Sequence, residues 1–248
     1  MVGWLLFNVS SVHSDFALAK CWRSMAPIST CSAFAMSESN APHSQRPTRT
    51  DAVSPWRVWC WGAAGLTLLT AVMLLGQPDA EGARRLIRVT ARLSLALFLL
   101  AFVASAWWRH APSPWSAALL RHRRQVGLLF ATSHACHAVG IACLAAWADP
   151  TLWAELTPPV SRWIGGAGYV ALVLMTMTSF DVAVRWLGRQ RWQRLHSVCA
   201  HVIWLVFVLS CLKRVGGAPV YALPLACLLG AMLWRHWPAR PALVKASS

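Results

Sequence analysis

The chain has 248 residues, of which 57% are hydrophobic and 12% charged, with a mean hydropathy of +0.47. Those values exclude an ordinary soluble domain and point to an integral membrane protein. Its formal charge is +15, from 23 Lys and Arg against 8 Asp and Glu, which in a soluble chain would suggest nucleic acid. Here the arginines border apolar runs, so the positive-inside rule accounts for them and no nucleic acid is expected.

Residues 1–55 carry Ser, Pro, Thr and Asn clusters such as MSESNAPHSQRPTRTDAVSP and no sustained periodicity, which predicts a disordered extension. The opening MVGWLLF lacks a basic n-region and is too short for a secretory core. Met25 and Met36 are alternative starts, and no function is built on His13 or His43.

From residue 56 onward, apolar runs approach the roughly 20 residues a helix needs to cross the hydrocarbon core. They predict spans at 56–76, 86–108, 126–148, 163–184, 195–215 and 218–234. Lipid cannot satisfy the backbone of loops or open sheets. The fold class is therefore an all-α integral membrane bundle of about six transmembrane helices over 56–236, with a tail at 237–248. Gly165, Gly166 and Gly168 in the fourth span are expected to allow close helix contact.

Arg109, Arg121, Arg123 and Arg124 mark one loop, and Arg185, Arg189, Arg191 and Arg194 another. With Arg235, Arg240 and Lys245 they put both loops and both termini of a bacterial inner-membrane protein in the cytoplasm. Arg84, Arg85, Lys213 and Arg214 fall on the other side. Tryptophans at span ends, among them Trp56, Trp107, Trp163 and Trp234, read as interfacial belts. The 8 cysteines form no C-x-x-C or zinc spacing and read as small packing residues.

The informative residues are four histidines inside spans: His134 and His137, then His196 and His201. A histidine in a bilayer-spanning segment is costly and normally faces a partner, a cofactor or a proton path. His134 and His137 stand at i, i+3 and share one helix face. His196 and His201 are about 140° apart around their helix and diverge. Two histidine-bearing spans can grip a haem from both faces, with iron taking axial imidazoles.

Counting about 1.5 Å per residue from Arg124 and Arg194 puts His134 roughly 15 Å deep, His137 roughly 20 Å, His201 roughly 10 Å and His196 about 3 Å. That count favours His134 with His201, then His137 with His201. Arg88 and Arg92, at i, i+4, could meet haem propionates or snorkel to headgroups. Asp181 is expected to pair with Arg185.

The segments RRQVGLLFATSHACH and TSFDVAVRWLGRQRWQRLH resemble the ferric reductase-like transmembrane domain family, most closely its MsrQ-type branch of haem-binding membrane subunits. R-R-x-x-G followed by a histidine ten residues on matches Gly127 and His137. L-G-x-x-W-x-x-L-H, with one residue of slack, matches Leu187, Gly188, Trp192, Leu195 and His196. VTAR, ending at Arg92, resembles a further motif, and the likeness covers roughly 85–215. The family carries another histidine about thirteen residues past the His196 position, where this chain has Leu209. The expectation is therefore a haem moved one to two turns toward the cytoplasm; the alternative is a decayed site.

The resemblance implies one or two haem b groups, with a flavin such as FMN or FAD also possible in the family's chemistry. Electrons would pass from a cytoplasmic flavin reductase or quinol towards a periplasmic redox partner. No G-x-G-x-x-G element appears, so this reads as an oxidoreductase subunit without a nucleotide site of its own. The alternatives are a haem-free structural or partner-binding subunit of the same fold, and a small transporter or proton channel using the same histidines.

Overall fold

A computed structural model describes residues 55–238, and among these every regular element is helical. Apart from the residues that border the domain, the extension read at 1–55 and the tail read at 237–248 lie outside the described residues.

Helix α1 (Pro55–Gly76) is followed by α2 (Ala80–His110), the longest of the described helices. Asp79 caps α2: its Oδ1 accepts from the Gly82 backbone N–H at 2.7 Å. That N–H holds the Asp79 carboxyl below the ordinary carboxylate range. A Cβ at Gly82 would run into the Gln77 carbonyl, so the cap needs glycine there. The helix therefore starts six residues before the apolar run does. A capping box formed by Ser113 and Ser116 then opens α3 (Pro114–Arg121).

Helix α4 (Arg123–Trp147) lies along α2 and also against α1. After the short α5 (Pro150–Leu156) come α6 (Pro159–Met177) and α7 (Asp181–Leu187). The predicted span at 163–184 is thus broken in two. Thr178 and Ser179 turn their hydroxyls back onto the Leu174 and Met175 carbonyls, and the chain bends. Gly188, at φ +75°, joins α7 to α8 (Arg189–Val215), a conformation that favours glycine.

A 3-10 turn (Pro219–Tyr221) leads into α9 (Ala222–His236). Among the described residues five helices (α1, α2, α4, α6 and α8) are long and apolar enough to cross a membrane, so the chain is a multi-pass membrane protein. The sixth, α9, has only 15 residues. It spans about 22 Å, less than the roughly 30 Å hydrocarbon core.

Even so, α9 returns to the end where α4 begins. Arg235 donates to the Phe102 carbonyl at 2.9 Å, and Arg109 donates to the Arg235 carbonyl at 3.0 Å. Arg123 donates to the Ala101 carbonyl at 2.9 Å. Arg124 lies over the Trp56 and Phe180 rings and reaches Asp181 at 3.4 Å. Asp181 therefore pairs across the bundle with Arg124, where a local pair with Arg185 was expected, because the bend after α6 swings it towards α4. These contacts gather the start of α1, the start of α4, the end of α6 and the end of α9 at one arginine-rich end.

Small residues set the tightest packing. A Cβ at Gly140 would lie 3.0 Å from Ile87 Cγ1, so α4 packs closely on α2 there. Of the three glycines in α6, Gly168 approaches Val206 of α8, whereas Gly165 and Gly166 face open space. Gly140→Val should therefore destabilise the bundle by about 1–3 kcal/mol by overpacking. Gly166→Ala should leave it unchanged within error. Detergent-denaturation midpoints test this, and equal midpoints for the two variants would refute the packing assignment.

Candidate functional site

The α2–α4 seam contains a row of buried polar groups. Thr90, Ser94 and Ser133 are at most 1% exposed. Ser94 donates to the Ser133 hydroxyl at 2.9 Å, and Ser133 donates to the Thr90 carbonyl at 3.3 Å. The Thr90 hydroxyl donates to the Leu86 carbonyl at 2.7 Å. Each group satisfies another, which lipid would not do.

His137 ends this row. Its Nδ1 lies 3.1 Å from the Ile87 carbonyl and 3.1 Å from the Thr90 hydroxyl oxygen. A carbonyl can only accept, so Nδ1 carries the proton and Nε2 keeps its lone pair. That arrangement aims a histidine at a metal: one nitrogen is held by a carbonyl and the other presented.

His134 stacks on His137, with ring centroids 5.3 Å apart and planes 22° apart. It also meets Phe130, Tyr169 and Phe207, and Tyr169 donates to its backbone carbonyl at 3.3 Å. The Nδ1 of His134 is buried with no hydrogen-bond partner among the described residues. An unpartnered buried imidazole nitrogen is expensive and calls for a partner. One turn before Tyr169, Gly165 is half-buried, yet nothing lies within 4 Å of where its Cβ would sit.

The α8 histidines point elsewhere. Thr178 gives its hydroxyl proton to the Leu174 carbonyl at 2.6 Å, so its oxygen accepts from His196 Nε2–H at 2.9 Å. Trp192 stacks on His196 at 4.3 Å and donates to the Thr178 carbonyl. His201 gives its Nδ1 proton to the Ser197 carbonyl at 2.6 Å, and its Nε2 faces His236 Nε2 at 3.5 Å. Among the described contacts His134 meets Phe207, not His201. Phe207 lies six residues beyond His201, about 120° around the helix. The depth count ignored this helical phase. Leu209 is exposed on α8.

Arg88 and Arg92 share a face of α2, but that face lies about 200° from Thr90 and so away from His137. Arg88 pairs with Glu81 at 2.7 Å. Arg92 is exposed and has no polar partner among the described residues. The VTAR segment was weighed for its arginine, yet its Thr90 is the residue that meets His137. His236 was not weighed at all, because it closes a span beside Arg235 and resembles a boundary residue.

Between the two histidine groups runs a column of rings. Phe130 meets Phe98 at 5.6 Å, Phe98 meets Phe102 at 5.2 Å, and Phe102 meets His201 at 6.1 Å. The deep pair on α4 is thus joined to the arginine-rich end by aromatic side chains.

These hydrogen bonds make His137 and His201 Nδ1–H tautomers and His196 the Nε2–H tautomer. Ring nitrogen shifts in 15N-histidine-labelled, haem-free protein at alkaline pH should report that split. A His137 protonated on Nε2 instead would remove the presented lone pair.

No family model matches the chain, and no solved structure matches it. It is similar to proteins named protein-methionine-sulfoxide reductase heme-binding subunit MsrQ. The one from Enterobacter sp. strain 638 is 32% identical over 176 residues, covering 65% of this chain and 80% of the relative. The one from Salmonella arizonae is 30% identical over 197 residues, covering 73% and 85%. The one from Caulobacter vibrioides is 28% identical over 196 residues, covering 77% and 90%.

Proposed function

The chain belongs to the MsrQ family of haem-binding membrane subunits, and from that membership we propose that it binds haem b within its bundle and carries electrons across the membrane. The observation that carries the proposal is His137, whose Nδ1–H is tied to the Ile87 carbonyl and whose Nε2 is left to ligate. When bound, haem supplies a one-electron ferric–ferrous couple whose potential depends on its ligands and burial.

The chain's own residues then do three things. His137 holds the iron, while Ile87 and Thr90 orient its ring. His134 adds a second buried nitrogen beside His137 and would help hold the group there. Phe130, Tyr169 and Phe207 wall the site against water. The open half-buried space at Gly165 supports room for a flat group beside this wall.

The donor is a flavin reductase or quinol at the arginine-rich end, which is cytoplasmic by the positive-inside rule, and the acceptor is periplasmic. His196 and Trp192 lie nearest the donor. Arg88 and Arg92 lie on the donor-distal half of α2, where they meet headgroups or other anionic groups.

Purified protein should show a b-type Soret band. His137→Ala should cut haem content to about a tenth or less. Thr90→Val should weaken haem retention by about 10- to 100-fold, the usual cost of losing an outer contact to a ligating histidine. His201→Ala should keep the Soret band. Colourless protein after haem titration would overturn the proposal, and Soret loss in His201→Ala would place a ligand on α8.

Reporter fusions after Val244 and within 150–160 should give opposite compartments, the first cytoplasmic. The same compartment from both would mean that α9 does not complete a sixth crossing.

A further inference from the structure

His201 and His236 come from different helices, α8 and α9, and meet at the arginine-rich boundary. Their Nε2 atoms are 3.5 Å apart, and the ring centroids 5.7 Å. The difference is about one ring's width, so the two nitrogens face each other nearly head-on. His201 is held in this pose by its Nδ1–H bond to Ser197, which leaves the Nε2 lone pair pointing at His236.

Two head-on imidazole nitrogens at this distance make a poor hydrogen bond, since 3.5 Å lies beyond the usual range for nitrogen donors. The gap is instead what two metal–imidazole bonds of roughly 2.0 Å each span when they meet at a bent angle of about 120°. His236 is exposed, so an ion in solution can reach the pair. We propose that His201 and His236 form a two-imidazole site for a single late first-row transition-metal ion, of the copper or zinc class, which clips α9 to α8.

A porphyrin does not fit between them. One turn beyond His201, Trp204 donates to the Leu228 carbonyl at 2.9 Å, and Leu228 is fully buried. The two helices are closed on each other there. Imidazole suits copper and zinc in preference to calcium or magnesium. Arg109 and Arg235 bring positive charge nearby, but both guanidiniums are turned onto carbonyls, and Arg235 also lies over the Phe102 ring at 4.6 Å. The site stands apart from the α4 histidines, so it does not depend on the haem reading.

The test uses full-length protein in detergent, stripped with EDTA and titrated with Cu+ under reducing competition and separately with Zn2+. One ion per chain is expected for at least one of the two metals. His201→Ala and His236→Ala should each weaken binding at least tenfold, and His236→Ala should retain the Soret band. Because a variant can fail to fold, the unmodified chain is also treated with diethyl pyrocarbonate with and without metal, and modified histidines are mapped by mass spectrometry. Metal should shield His201 and His236 together and leave His122 unshielded.

Absence of stoichiometric binding, unchanged affinity in both variants, or shielding confined to other histidines would overturn the ion site. Loss of the Soret band in His236→Ala would assign the pair to haem and equally overturn it. A colourless wild type that still binds one ion at this pair would reject the haem proposal and leave this one standing.

Discussion

The bundle depends on the polar seam between α2 and α4. In a hydrocarbon solvent no buried hydroxyl or imidazole can turn to water, so each needs a partner within the protein. Ser94, Ser133 and Thr90 do this in sequence, and small residues such as Gly140 let the backbones approach closely enough for the bonds to form. His137 joins the row through one ring nitrogen only. The same bonds that hold the helices together therefore decide which nitrogen is presented, and stability and ligand geometry share one set of contacts.

The arginine-rich end is built on a second constraint. A charged side chain at the edge of the bilayer gains from carbonyls that the last turn of a helix leaves without partners. Arg109 donates to such a carbonyl, that of Arg235 in the last turn of α9. Arg123 and Arg235 donate to the Ala101 and Phe102 carbonyls further inside α2, and Arg124 lies between aromatic faces. These contacts tie α9, too short to span by length alone, to the ends of the long helices. They also bring His236 beside His201.

Helical phase separates the two histidine groups. On α8 the face that meets α4 carries Phe207, while His201 is turned towards α2 and α9. The space between is filled by Phe98, Phe102 and Phe130. A rotation of α8 by about a third of a turn would change its ligand set completely. Rotation of one helix within a bundle is set by packing, here by Gly168 against Val206 and by Trp204 onto Leu228.

Much was legible before any coordinates. Apolar run length and composition determine an all-α membrane bundle, because only helices satisfy their own backbone in lipid. The spacing of His134 and His137 determines that they share a face, since a helix has 3.6 residues per turn. The motif around Gly127 and His137 was enough to point to the family. Tertiary structure alone decided the rest. The Asp79 cap and the Thr178–Ser179 bend moved span boundaries that hydropathy averages over. Asp181 left its local partner for Arg124 once the chain had bent. Thr90, one letter in a motif read for its arginine, became the contact to His137 because it faces α4 and Arg92 does not. Depth along a helix can be counted from sequence, but direction around it depends on neighbours, and here His134 meets Phe207 while His201 meets Phe102 and His236. His236 became its neighbour only through the antiparallel return of α9, a contact between residues 35 apart in the chain that no local spacing encodes.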